Sequence, residues 1–182
     1  MRRIISALVE DRPGVLNRVA SMFRRRGFNI ASLAVGKSEQ RGLSRMTFVV
    51  NGDEDTVSQV TRQLDKLIDV IRVSDISSEE IVSRELSLVK VKTTPATRGE
   101  IIQIVNLFRA NIVDVGARSM VIEITGEEDK VNALYNLLQP FGILEMLRTG
   151  RVAMVRGQSD GRVSDSVGIG LNGNGFGEVH AG

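Results

Sequence analysis

The stretch Glu10-Asp11-Arg12-Pro13-Gly14-Val15-Leu16 is where residue types and spacing come nearest to binding chemistry. It follows an apolar run, Ile4 to Val9, that reads as a strand, and it precedes Val15, Leu16, Val19, Met22 and Phe23 at helical spacing. Pro13 suits the first helical position, where no backbone N–H is needed, with Asp11 or Arg12 at the cap. Gly14 removes a side chain where a ligand can approach the backbone. A helix start offers unpaired N–H groups and the positive end of a dipole, which together can hold a carboxylate. The same residues also describe an ordinary strand-to-helix turn. Asn29 opens the next strand, and its amide can bond both an ammonium and a carboxylate. A solvent-facing strand residue is the competing reading.

Catalytic chemistry finds no comparable constellation. The one histidine, His180, stands close to the end of the sequence, and there is no cysteine, so thiol nucleophiles, disulfides and thiolate metal sites are excluded. Glu10 and Asp11 are paired acids, but neighbours at a strand end diverge instead of converging on a substrate. A net charge of +2 is too small to imply nucleic acid. No apolar run reaches the ~20 residues that span a membrane, so no membrane association is expected. The short apolar run before Glu10 cannot serve as a signal peptide, which implies a cytoplasmic, or plastid-stromal, location.

The elements that must position the turn follow from periodicity. A strand is expected over Arg3 to Val9 and a helix over Pro13 to Arg26. Arg24-Arg25-Arg26-Gly27 closes that helix, with cations at its negative end and a glycine free to turn. Phe28 to Val35 alternates as a strand, with Phe28 and Ile30 on one face and Asn29, Ala31, Leu33 and Val35 on the other. Leu43 to Val50 is a third strand. Gly52-Asp53-Glu54-Asp55 opens a helix whose stripe is Val57, Val60, Leu64, Leu67 and Ile68, and Val70 to Ile76 is a fourth strand. The order βαββαβ folds as a four-stranded antiparallel sheet with two helices on one face.

Ser77-Ser78-Glu79-Glu80 has capping-box spacing and is expected to begin a short linking helix. The order then repeats. Glu85 to Val91 is a strand, Thr97 and Glu100 form a second capping box, and Ile112 to Val115 and Met120 to Thr125 are strands. Gly126-Glu127-Glu128-Asp129 opens a helix, Ile143 to Leu147 is a strand, and Val152 to Val155 extends the sheet. Met46, Gly52, Asp55 and Val57 stand over Met120, Gly126, Asp129 and Val131 at one constant offset, an internal duplication. The fold class is therefore α+β, two tandem ferredoxin-like βαββαβ domains. The expected boundaries are 1–76, a linker at 77–84, a second domain at 85–156 and a glycine-rich tail at 157–182 that buries no core and is expected to be disordered.

At this point the residues resemble a known family. Val9-Glu10-Asp11-Arg12-Pro13-Gly14-Val15-Leu16 is similar to the signature of amino-acid-binding ACT domains. Arg25-Arg26-Gly27-Phe28-Asn29-Ile30, Leu43-Ser44-Arg45-Met46-Thr47, Gln63-Leu64-Asp65-Lys66-Leu67-Ile68-Asp69-Val70 and Arg148-Thr149-Gly150-Arg151 resemble the small regulatory subunits of acetolactate (acetohydroxyacid) synthase. The resemblance covers Met1 to about Gly157. It implies a non-catalytic chain with no cofactor of its own, partnered by a catalytic large subunit that holds thiamine diphosphate, magnesium and FAD. It implies activation of that partner and feedback inhibition by valine or another branched-chain amino acid. The family's effector site lies between two N-terminal ACT domains of a homodimer, and carried over it falls on Asp11, Gly14, Val15, Leu16, Asn29 and Ile30. Family members often have asparagine where this chain has Asp11, and an acid where it has Ala31. The alternatives are a stand-alone tandem ACT regulator and an RNA-binding module of the same βαββαβ order. The latter stacks bases on exposed aromatics, whereas Phe48 shares a core face with Met46 and Val50.

Overall fold

The computed structural model describes residues 1–157. Its elements are β1 (Arg2–Glu10), α1 (Val15–Arg26), β2 (Ile30–Lys37), β3 (Leu43–Asn51), α2 (Glu54–Asp65), β4 (Val70–Asp75), β5 (Ile81–Lys92), α3 (Arg98–Leu107), β6 (Asn111–Val115), β7 (Ser119–Gly126), α4 (Glu128–Leu138), β8 (Ile143–Arg148) and β9 (Val152–Val155), with one 3₁₀ turn at Gln139–Phe141. The tail expected at 157–182 falls, beyond its first residue, outside the described residues.

Both halves are α+β and share one strand order. The first sheet runs β2-β3-β1-β4 and the second β6-β7-β5-β8, with every pairing antiparallel. In the first half, alternate residues of β1 and β3 (Ile5, Ala7, Val9; Met46, Phe48, Val50) meet the helix stripes Val15, Val19, Met22, Phe23 and Val57, Val60, Leu64. Phe23 stacks on Phe48 at 5.2 Å between ring centroids. The second core repeats this plan with Val89, Val91, Met120, Ile122 and Ile124 against Ile101, Val105, Val131, Leu134 and Leu138. Burying a side chain of this kind contributes about 1.5–3 kcal/mol, so these two faces dominate the stability of each half.

Five expectations need correction. Helix α1 begins at Val15, and Gly14, with φ of 88°, occupies the cap in place of Asp11 or Arg12. The chain reverses sharply there, and a left-handed residue makes the reversal at no steric cost only if it is glycine. No helix links the halves: Ser77 turns its hydroxyl onto Ile4, taking the Ile4 N–H at 2.8 Å, and Ile81–Arg84 instead extend β5 to pair with β9. Thr97 does not cap α3 with its side chain; it is engaged with Thr94. Finally, Leu33 and Val35 do not face away from Ile30. The register shifts between Ile30 and Ser32, so Ile30 lies opposite Val50 and Leu33 opposite Phe48, all on the helix side. A single bulged residue inverts the alternation of everything after it. Helix α2 also stops at Asp65, which leaves Ile68 outside its stripe and 84% exposed.

The sheet face opposite the helices of the first half is met partly by the second half. Ile4, Ile76 and Ala153 form a small apolar cluster with Ile81 packed against it. Around it, Arg2 of β1 and Arg151 both pair with Glu128 of α4.

Candidate functional site

The turn from β1 into α1 is anchored at both ends. The Glu10 N–H donates to the Asp69 carbonyl at 2.9 Å, and the Asp11 N–H to the Gly42 carbonyl at 2.8 Å. Beneath the turn lies Asp69, whose side chain is only 2% exposed. One of its carboxylate oxygens accepts from Arg12 Nη2 and the other from Arg18 Nε. Arg12 also reaches Glu10 at 2.5 Å. Arg18, against the opposing effect of burial, and then Arg12 hold the Asp69 carboxyl below its ordinary range. A buried acid satisfied by two guanidinium groups fixes Arg12 and Arg18 on either side of Gly14.

Above this anchor the start of α1 is open. No side chain caps it and no acid lies in its first turn. Helix α2, by contrast, is capped by Asp53, which accepts the Thr56 N–H at 2.9 Å. The Val15 N–H donates to the Arg12 carbonyl at 3.4 Å, and the N–H groups that follow it in the first turn are left for an anion, with the dipole favouring one. A side chain at position 14 would start 3.4 Å from Arg18 Nη1, so glycine keeps both the guanidinium and the backbone accessible.

The six residues singled out in the sequence fall into two groups. Asp11, Gly14, Val15 and Leu16 lie together at this turn. Asp11 is exposed and Leu16 is 48% exposed, while the Val15 side chain is buried in the core, so Val15 offers only its backbone. Asn29 is exposed and Ile30 half-buried, immediately before and at the start of β2. Ile30 lies opposite Val50, which in turn lies opposite Arg3, whereas Leu43 at the other end lies opposite Glu10. The two groups are therefore separated by most of the length of β1, roughly 20 Å at strand rise. One chain does not bring them together.

The Arg12–Asp69–Arg18 anchor was not singled out in the sequence. Its signal was an acid, Asp69, between Ile68 and Val70 in an apolar run, since a buried carboxylate needs a cationic partner. Among the described residues no cluster of His, Cys, Asp and Glu could hold a metal ion, and no helix is long and apolar enough to cross a membrane.

Paired ferredoxin-like units with an open, anion-favouring turn in the first define a tandem ACT-type chain. Family models agree: residues 5–72 match the AHAS small subunit-like ACT domain, and residues 84–157 match the small subunit of acetolactate synthase. A probable acetolactate synthase small subunit of Archaeoglobus fulgidus is 57% identical over 157 residues, covering 86% of this chain and 98% of its own. The acetolactate synthase small subunit of Bacillus subtilis is 50% identical over 158 residues, covering 86% and 92%. The crystal structure of the acetolactate synthase small subunit from Thermotoga maritima superposes with a TM-score of 0.82 at 43% identity, covering 87% of this chain and 99% of that one. The chain belongs to the acetolactate synthase small-subunit family.

Proposed function

We propose that this chain regulates acetolactate synthase by binding a branched-chain amino acid, valine first among them, at the β1–α1 turn. The observation that carries the reading is the start of α1: uncapped, free of acids in its first turn, and opened by Gly14. A carboxylate seated over Gly14, Val15 and Leu16 meets N–H groups and a helix dipole, while Asp11 stands by for an ammonium. Asn29 and Ile30 complete the site from a second copy. Strand β2 lies at a sheet edge, and its residues Ile30 to Gly36 carry no charge and no proline to discourage pairing. Antiparallel pairing of two β2 edges brings Asn29 and Ile30 of one copy toward the Lys37 end of the other, the end where Asp11 and Gly14 lie. It also covers Val35, 47% exposed in the single chain.

In this reading catalysis belongs to a large subunit that carries thiamine diphosphate, magnesium and FAD. The chain described here raises that activity and transmits inhibition, in the cytoplasm. Co-expression with the large subunit, followed by affinity purification and an assay of acetolactate formation against valine concentration, tests it. The expected result is a stable complex, activity above that of the large subunit alone, and inhibition by valine. A chain that neither binds nor activates the large subunit overturns the proposal. Equilibrium sedimentation of the isolated chain is expected to give a dimer at micromolar concentration; a monomer with or without valine rules out the shared site.

A further inference from the structure

The segment Arg148-Thr149-Gly150-Arg151 connects β8 to β9 and lies across β2 of the first half. Gly150 has φ of 81°, and a Cβ placed on it would stand 2.9 Å from both the Leu33 carbonyl oxygen and Ser32 Oγ. Any other residue is disfavoured twice, by backbone conformation and by contact. The Arg151 N–H donates to Ser32 Oγ at 2.9 Å. The Arg151 guanidinium reaches Glu128 at 2.5 Å, and Glu128 also takes Arg2 from β1. At the other end Arg148 pairs with Glu85, 7% exposed, and bonds Asn132 at 3.0 Å, while Thr149 accepts the Leu86 N–H at 3.1 Å. The segment is thus fastened to β5 and α4 of the second half and rests on Ser32 and Leu33 of the first.

Its neighbours are not filled core. A cleft of about 440 Å³ lies between the halves, walled by Ala31 and Val49 on one side and by Glu85 and Glu128 on the other. Beside the small cluster of Ile4, Ile76, Ala153 and Ile81, the junction is made of ion pairs and a few hydrogen bonds around this open cleft, which permits the halves to shift relative to one another more readily than a large close-packed apolar interface would. Ser32 and Leu33 follow Asn29 and Ile30 directly on β2, across the register shift that bulges Ala31 out. A bulge is a point where strand geometry can change without breaking the ladder on either side.

The geometry points to the Arg148–Arg151 segment as the link that carries occupancy of the effector site, through β2, to the second half. This rests on the proposed effector site. Binding at Asn29 and Ile30 fixes the start of β2, Ser32 and Leu33 hold or release Gly150 and Arg151, and Glu128 passes the change to α4. For such a link to regulate, the effector must bind the two arrangements of the segment with different affinity.

The test uses the full chain reconstituted with the large subunit, in three forms: wild type, Ser32→Ala and Glu128→Gln. Valine binding is measured by calorimetry, inhibition by acetolactate formation, and local order by amide hydrogen exchange. In wild type, valine is expected to slow exchange both in β2 and at residues 148–151. In both variants valine still binds, within about threefold of wild type, and still protects β2, but protection at 148–151 and the maximal inhibition are each reduced by half or more. Gly150→Ala, provided its melting curve stays cooperative, is expected to show the same pattern more strongly. Unchanged maximal inhibition in Ser32→Ala and Glu128→Gln overturns the link while leaving the effector site standing. Absence of valine binding or of β2 protection in wild type overturns the effector site, and the link with it.

Discussion

The two halves place the same hydrogen bonds at their first turns and put opposite chemistry on them. The Glu10 N–H meets the Asp69 carbonyl and the Asp11 N–H meets that of Gly42; in the second half the Lys92 N–H meets Gly142 at 2.9 Å and the Thr93 N–H meets Arg118 at 3.0 Å. Counting on from these bonds, Pro13 matches Pro95, Gly14 matches Ala96 and Arg18 matches Glu100, while buried Val19 and Phe23 match buried Ile101 and Val105. Asp69 matches Gly142, so the anchoring carboxylate and both of its guanidinium partners are gone together. Thr94 and Thr97 close the second turn on themselves, with Thr94 N–H to Thr97 Oγ1 at 2.9 Å and Thr97 N–H to Thr94 Oγ1 at 3.2 Å. Glu100 places an acid in the first turn of α3. Duplication preserved the frame that a turn needs to fold, and only the first copy kept the features that favour an anion.

The sharpest way to break this contrast is a pair of matched substitutions. Gly14→Asp puts a carboxylate where the effector's carboxylate is expected, and is expected to weaken valine binding by about 2–4 kcal/mol and abolish inhibition. Because Gly14 is left-handed, the substitution also costs the fold roughly 1–2 kcal/mol. Ala96→Asp at the matching site of the second half should leave the valine inhibition curve in place. Inhibition curves and melting temperatures of the two variants decide it. Equal loss of inhibition in both would mean that the halves do not differ in the way their turns suggest.

The anchor gives a second, smaller effect. Asp69→Asn is expected to lower the melting temperature and weaken effector binding, since Arg12 and Arg18 lose the group that positions them around Gly14. The pH dependence has a definite sign. The Asp69 carboxyl is depressed in the folded chain by Arg18 and Arg12, with Glu10 the other charge on Arg12. Its contribution is therefore full above the unfolded value of about 3.9 and is lost as pH falls through the lower folded value. Melting temperatures from pH 7 down to 3 should fall more steeply below about pH 4 in wild type than in Asp69→Asn. Parallel curves would show that the carboxylate is not a stabilising partner.

Much of this was legible in the sequence. Both βαββαβ orders, the stripes Val57, Val60, Leu64 and Val131, Leu134, Leu138, and the glycine at the turn followed from periodicity and residue type, because each is a local preference that the tertiary structure reinforces. What was missed depends on partners distant in sequence. Ser77 could cap a helix or bond Ile4, and only the packed sheet brings Ile4 to it. The bulge at Ala31 leaves no trace in hydropathy, yet it decides which face Leu33 and Val35 occupy. Asp69 interrupts an apolar run in the sequence, but which cations satisfy it is decided only when the fold brings Arg12 and Arg18 over it. The six residues proposed for the effector were legible as types; that they lie at opposite ends of one sheet was not.

The smallest expected effect tests whether the second half kept any part of the site. Asn29 and Ile30 match Asn111 and Ile112, so the amide survived duplication although the turn did not. Asn111 is occupied, however: its Nδ2 donates to Glu123 Oε1 at 3.2 Å, on the adjacent strand β7. The position across from Asn29 offers no such acid, since β3 there presents Val50 and Asn51. Asn29→Ala should therefore remove a bond to a charged ligand and weaken valine binding by about 1.5–3 kcal/mol. Asn111→Ala removes an exposed neutral–charged pair within the protein and should change stability by no more than about 0.5 kcal/mol, with valine binding untouched. Calorimetric titration of both variants, beside their denaturant midpoints, separates the cases. If Asn111→Ala lowers valine affinity as Asn29→Ala does, the second half contributes to the effector site, and the division of labour drawn from the two turns fails.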